Sequence, residues 1–194
     1  MRDKHNTTGI ILAGGKSTRM GSDKGFVLYN DATFMSHVIA ALQPFVSEII
    51  IVSNHSEYDI FKLKRVKDKF EDAGPLAGLY SGLENSETEK NIVLSCDIPL
   101  INKTVLKVLV EGFDSEVDVV QLKSNSESMP LIAMYKKQTM YQILDLLEQG
   151  ERRLRVAVKS LRTKTITLDT KLDPFVKNIN TTAQLKEIKN GFED

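Results

Sequence analysis

Apolar residues in this chain fall into two rhythms, short continuous runs and stripes at helical spacing, and the two alternate. Ile10, Ile11 and Leu12 form the first run, which reads as a buried strand breaking at Ala13. FVLYNDATFM then suggests a short extended piece, a turn at Asn30 and Asp31, and a helix from about Phe34 to Gln43. Val38, Ala41, Leu42 and Phe45 fall at helical spacing there, and Pro44 marks the end. EIIIVSN predicts a second buried strand ending at Asn54, and Arg65 to Lys67 a short third one that delivers Asp68. In EDAGPLAG, Gly74 and Pro75 fix a turn before a helix from about Leu76 to Glu84.

The alternation continues. A strand at Asn91 to Ser95 runs into Cys96-Asp97-Ile98-Pro99, and Asn102 can cap a helix from Lys103 to about Gly112. Strands are expected at Val117 to Leu122 and Leu131 to Tyr135, helices at Gln138 to Gln149 and Arg152 to Lys159, and a strand at Lys164 to Leu168. A last helix begins in INTTAQLKEIKN, with Thr181 as its N-cap. Helices interleaved with apolar strands predict an α/β fold, a three-layer α/β/α sandwich. With no repeat or linker, residues 1–194 are expected to form a single domain, residues 1–7 being a flexible N-terminal segment.

This pattern gives the polar residues their meaning, because ligands of open α/β sheets bind beyond the carboxyl ends of the strands. Gly14, Asn54, Asp68 and Asp97 stand at four such ends. After the first strand, a loop holds Gly14, Gly15 and Gly21, threaded by Lys16, Arg19 and Lys24. Glycines let backbone N–H groups approach a phosphate, and the three cations can balance its charge. GGKST is not the end of a P-loop, which would need glycine where Ile10 stands, and the dinucleotide pattern G-x-G-x-x-G is absent.

Asp97 has two readings: a carboxylate for Mg²⁺ shared with substrate phosphates, or a turn aspartate after a strand. Asp68 is either an acceptor for ribose hydroxyls or base N–H groups, or an exposed aspartate among lysines. Gly74 to Gly78 offers a helix N-terminus suited to an anion or base edge, or a plain connection. In GERRLR, Arg152, Arg153 and Arg155 cannot share one helix face. Asn178 and Asn180 alternate on one side of an extended segment, toward a common ligand or within a turn.

Composition narrows the class. Twenty-six basic and twenty-six acidic residues leave no net charge, against a protein that coats nucleic acid or an anionic membrane. A single cysteine, Cys96, excludes an internal disulfide framework and reads as a buried small side chain. The polar start and the absence of a membrane-length apolar run predict a cytoplasmic protein with no membrane partner.

The in-order set LAGGKSTRMGSDK, GPLAG, SCDIPLI, GERR and NINT resembles the bacterial molybdenum cofactor guanylyltransferases, over Gly9 to about Leu185. The resemblance implies a Rossmann-like nucleotidyltransferase with a mainly parallel sheet. It also implies transfer of GMP from GTP to molybdopterin with Mg²⁺ as cofactor and release of pyrophosphate. On that resemblance, Leu12, Ala13, Gly14 and Gly15 hold the nucleotide largely through backbone, and Arg19 and Lys24 engage its phosphates. Asn54, Asp68 and Gly78 lie on the nucleotide side, and Asp97 binds Mg²⁺. Arg152 or Arg153, with Asn178 and Asn180, lies on the pterin side, and molybdoenzymes or their chaperones are implied as transient partners. One departure is Val52, where some members carry an additional asparagine, which leaves open what lines the base pocket. Two alternatives stand beside this reading: a cytidylyltransferase acting on molybdopterin or on a sugar or polyol phosphate, and a noncatalytic carrier of nucleotide or pterin.

Overall fold

A computed structural model describes residues 6–14, 23–70 and 73–191. The first apolar run becomes β1 (Thr7–Leu12), the central strand of the parallel half of a seven-stranded sheet. Thr7, expected in a flexible segment, is instead buried at the start of that strand. β4 (Glu48–Val52) and β6 (Lys90–Ser95) pair with β1 on either side, and β5 (Lys64–Val66) pairs with β4, all in parallel. Between β1 and β4 come a hairpin, β2 (Leu28–Tyr29) and β3 (Ala32–Thr33), and helix α1 (Phe34–Leu42). Asn30 and Asp31, the expected turn, take φ of 44° and 60°, the positive values a tight two-residue hairpin requires.

Helix α2 (Gly74–Asn85) links β5 to β6, and α3 (Lys103–Glu111), capped by Asn102 as expected, leads from β6 to β7 (Val119–Ser124). β8 (Glu127–Lys136) follows, then α4 (Thr139–Glu148), α5 (Leu154–Ser160), β9 (Thr163–Thr167) and α6 (Thr182–Gly191). The sheet order is β5-β4-β1-β6-β8-β7-β9. β8 is antiparallel to both β6 and β7, while β9 is parallel to β7, so β8 alone runs against the other six.

Strand side chains alternate between two cores because successive residues point to opposite faces. Ile11, Ile49, Ile51 and Leu94 pack on one face with Val38 and Leu42 of α1 and Leu106 of α3. Ile10, Ile50, Val52 and Val93 pack on the other with Leu76 and Leu79 of α2, Ile143 of α4 and Ala157 of α5. The sheet is therefore buried on both sides, the three-layer α/β/α arrangement expected from near-continuous apolar strands.

The pairing of β7 with β8 is interrupted. Gln121 faces Ala133, but the next residue, Leu122, faces Met129, so residues 130–132 have no β7 partner. The Tyr135 hydroxyl donates to the Pro130 carbonyl at 2.7 Å and holds the bulge in place. A proline inside a strand is tolerated where the ladder is already broken.

Candidate functional site

The parallel strands end along one edge of the sheet, and the candidate residues stand there. β1 extends past Leu12 on both sides: the Ala13 N–H donates to the Val52 carbonyl at 2.9 Å, and the Cys96 N–H donates to the Leu12 carbonyl at 3.1 Å. These backbone groups thus continue the ladder, and the chain leaves the sheet at Gly14, where an added Cβ would meet nothing within 4 Å. Gly15 and Arg19, with Lys16 and Gly21, lie outside the described residues.

The described chain resumes at Asp23. Its Oδ1 accepts the Gly25 N–H at 3.0 Å, capping a single 3-10 turn over Lys24–Phe26. The same oxygen accepts the Tyr58 hydroxyl at 2.5 Å. Burial, with Cys96 and Asp23 nearby, pushes the Tyr58 phenol above its ordinary value, so it stays a donor. This two-point anchor fixes Lys24 at the first residue of the turn.

From there Lys24 Nζ reaches Asp97 Oδ2 at 3.3 Å and donates to Asn180 Oδ1. Asp97 Oδ1 accepts the Asn178 amide at 2.7 Å and the Ser95 hydroxyl. The Ile179 N–H donates to the Asp97 carbonyl at 2.8 Å, tying the late extended segment to the end of β6. Ile179 is buried between the two asparagines, so Asn178 and Asn180 project together, as the alternation predicts. Thr181 accepts the Gln184 N–H and caps α6. Lys24, Asp97, Asn178 and Asn180 thus form one cluster, partly open to solvent.

Along the same edge, Asn54 Oδ1 accepts the Asp68 N–H at 2.9 Å, joining the ends of β4 and β5. Asp68 Oδ1 accepts the Phe70 N–H at 3.1 Å and the Ser81 hydroxyl at 3.4 Å, so one carboxylate oxygen shapes its own loop. Burial raises the Asp68 carboxyl above its ordinary range, against the lowering effect of those bonds. Gly78 is buried within α2, a Cβ there being 3.5 Å from Leu12, so it packs the helix onto the sheet. Cys96 is buried, and burial pushes its thiol up, as suits a packing residue.

Beside the cluster opens a cavity of about 680 Å³, lined in part by Ser95 and Asn178. Its walls are largely apolar, with the β8 bulge on one side and Leu154, Val156 and Val176 on the other. Arg153 lines it. Arg152 does not: its guanidinium donates to the Leu147 carbonyl at 2.8 Å and closes the turn after α4. Both arginines precede α5, which begins at Leu154 and not at Arg152 as the stripe suggested, because Glu151 gathers their backbone N–H groups into a turn. Arg153 also grips Glu151 through two nitrogens, which holds the Glu151 carboxyl down to about 2.

Three participants carried no sequence expectation. Ser95 stands two residues before Asp97, a spacing that puts a hydroxyl beside the carboxylate and was open to notice. Ser124 and Asp173 meet in the cavity wall at 2.5 Å from distant parts of the chain, and no local pattern marks them. Among the described residues no helix is long and apolar enough to cross a membrane.

Comparison with known proteins bears on the family and the fold. Residues 9–164 match the family model described as "MobA-like NTP transferase domain". A Flavobacterium johnsoniae protein named "Probable molybdenum cofactor guanylyltransferase" is 34% identical over 181 residues, covering 93% of this chain and 95% of that one. A Vibrio vulnificus protein named "Molybdenum cofactor guanylyltransferase" is 29% identical over 184 residues, covering 93% and 94%. Among solved structures, molybdopterin-guanine dinucleotide biosynthesis protein A from Archaeoglobus fulgidus superposes with a TM-score of 0.79 at 22% identity, covering 94% of this chain and 97% of that one. That last likeness speaks for the fold, and the sequence matches for the family: the chain belongs to the MobA-like NTP transferase family and is a nucleotidyltransferase.

Proposed function

We propose that this nucleotidyltransferase transfers GMP from GTP to molybdopterin, forming the guanine dinucleotide cofactor and releasing pyrophosphate. The relatives' names motivate the substrates. The observation that carries the reading is the Lys24 ammonium, placed between Asp97 and Asn180, with the cavity-lining residues Ser95 and Asn178 bonded to the same Asp97 carboxylate. Nucleotide phosphates on the loop side and an acceptor in the cavity would meet at that point.

A terminal phosphate oxygen of the acceptor attacks the α-phosphorus of GTP. The new P–O bond forms as the Pα–O–Pβ bond breaks, and the electron pair leaves with pyrophosphate. A phosphate nucleophile is already anionic at neutral pH, so no general base is required. Negative charge developing on the phosphoryl oxygens falls beside Lys24 and, in the role its sequence suggests, Arg19. Asn178 and Asn180 orient the Asp97 carboxylate and Lys24, and present amides toward the acceptor.

Asp97 also suits Mg²⁺. It offers hard carboxylate oxygens, and no group of three His, Cys, Asp or Glu stands ready to hold a metal among the described residues. A site of that kind leaves most of the ion's shell to water and substrate phosphate, the usual habit of Mg²⁺. When bound, the ion would supply positive charge to the reacting phosphates.

Pyrophosphate release measured side by side with GTP and CTP tests the nucleotide. Preference for GTP is expected, and preference for CTP would replace it with the cytidylyl reading. Asp97→Ala is expected to cut Mg²⁺-dependent turnover by about a hundredfold or more with little change in melting temperature. Intact turnover in that variant would favour a noncatalytic carrier.

A further inference from the structure

Asp173 is buried in the cavity wall, 9% exposed, in the connection between β9 and α6. Its Oδ1 accepts the Ser124 hydroxyl at 2.5 Å. No described residue donates to its Oδ2, and that atom is not among the fully enclosed unpartnered ones. No described cation lies within ion-pair distance of it, whereas the basic side chains of the same wall are paired: Arg153 with Glu151, Arg155 with Glu127, Lys177 with Glu187. A buried carboxylate needs donors for both oxygens, and among the described residues the Ser124 hydroxyl alone donates, to Oδ1, which leaves Oδ2 to water or to a ligand entering the cavity. Charge-assisted bonds from a ligand would fill that deficit.

The shape and chemistry of the wall restrict the ligand. Apolar residues such as Met129, Leu131 and Val156 suit a flat ring, and a carboxylate at its edge suits two adjacent donors. A 2-amino-4-oxopyrimidine ring presents that pair, one ring N–H beside one amino group. We infer that Asp173 is the specificity-determining residue of the cavity, accepting both donors of such a ring, with Ser124 as its positioning residue. The inference rests on the acceptor reading above in taking the ring to be the pterin of the acceptor. Guanine carries the same edge, so the test must tell the two apart.

The kinetic arm compares wild type, Asp173→Asn and Ser124→Ala in pyrophosphate release with GTP and molybdopterin. Asp173→Asn turns an acceptor into an amide that presents N–H to N–H or keeps a single weaker bond. Its KM for molybdopterin should rise about tenfold or more, with KM for GTP and the melting temperature near wild type. Ser124→Ala should raise the same KM by less. An unchanged KM for molybdopterin overturns the inference, and so does a rise confined to GTP, which would make the cavity the guanine pocket.

The binding arm needs no turnover and separates failure of this inference from failure of the proposed reaction. Fluorescence titration of the wild type with free pterin should saturate. Lumazine, the 2,4-dioxo analogue with a carbonyl in place of the 2-amino group, should bind about tenfold more weakly, and Asp173→Asn should erase the difference. Absence of pterin binding by the wild type, or a discrimination that survives in Asp173→Asn, overturns the assignment whether or not pyrophosphate is released.

Discussion

Lys24 shows how one side chain's placement depends on residues that do no chemistry. Gly25 permits the close approach of the 3-10 turn to Tyr58, since a Cβ there would stand 2.2 Å from the phenolic oxygen. Gly25→Ala is therefore expected to destabilise the protein by about 2 kcal/mol, as overpacking does, and to depress turnover by displacing Lys24. Adding Tyr58→Phe leaves two ring carbons 2.8 Å from that Cβ and removes the bond to Asp23, so it should restore neither, read by urea unfolding and pyrophosphate release. Lys24 itself was legible as a cation following a glycine loop. The need for Gly25 was not, because it comes from a tyrosine in the next connection and leaves no trace in the local pattern. Asp97 was legible for the opposite reason, standing directly after an apolar run. Asp68 is not the exposed aspartate of its bland alternative: it is half-buried, and one of its oxygens is committed to Phe70 and Ser81.

Among the elements, β8 departs most from what periodicity suggests. Leu131 to Tyr135 reads as a strand, yet the strand begins at Glu127 and passes through Pro130. The bulge reconciles them, and it also makes room for the cavity. Tyr135 is fully buried, so its hydroxyl has few alternatives to the Pro130 carbonyl. Tyr135→Phe should lower stability by about 1 kcal/mol and raise KM for the acceptor severalfold while sparing KM for GTP, a split visible in steady-state kinetics. Strands buried on both faces were the easiest elements to read, since continuous apolar runs have few other uses in a chain of this kind. Arg152 and Arg153 misled because a glutamate's capture of backbone N–H groups outweighs a helical stripe over so few residues.

At the scale of the molecule, the fold was more legible than the site, because packing follows from patterns spread along the chain while the cavity depends on contacts between distant segments. The edge around β7 and β9 gives one test of how those distant segments hold together. Asp118, just before β7, takes two bonds from the Arg162 guanidinium, at 2.9 and 2.7 Å, and this holds its carboxyl down to about 2. A folded-state value below the unfolded one, about 4, contributes stability that is present above the unfolded value and is lost as pH falls through the folded one. Asp118→Asn should thus melt several degrees below wild type at pH 7, and calorimetry should find that gap closing between about pH 4 and 2. A further consequence follows from the bond between the Ile179 N–H and the Asp97 carbonyl. The family match stops at residue 164, but Asp97 acquires its amide partner, and Lys24 its second one, from residues 178–180. All nine described strands precede those residues along the chain. A chain clipped after β9 would therefore keep every described strand while losing the side chains that orient Asp97 and Lys24, together with the buried core residues Leu168 and Val176.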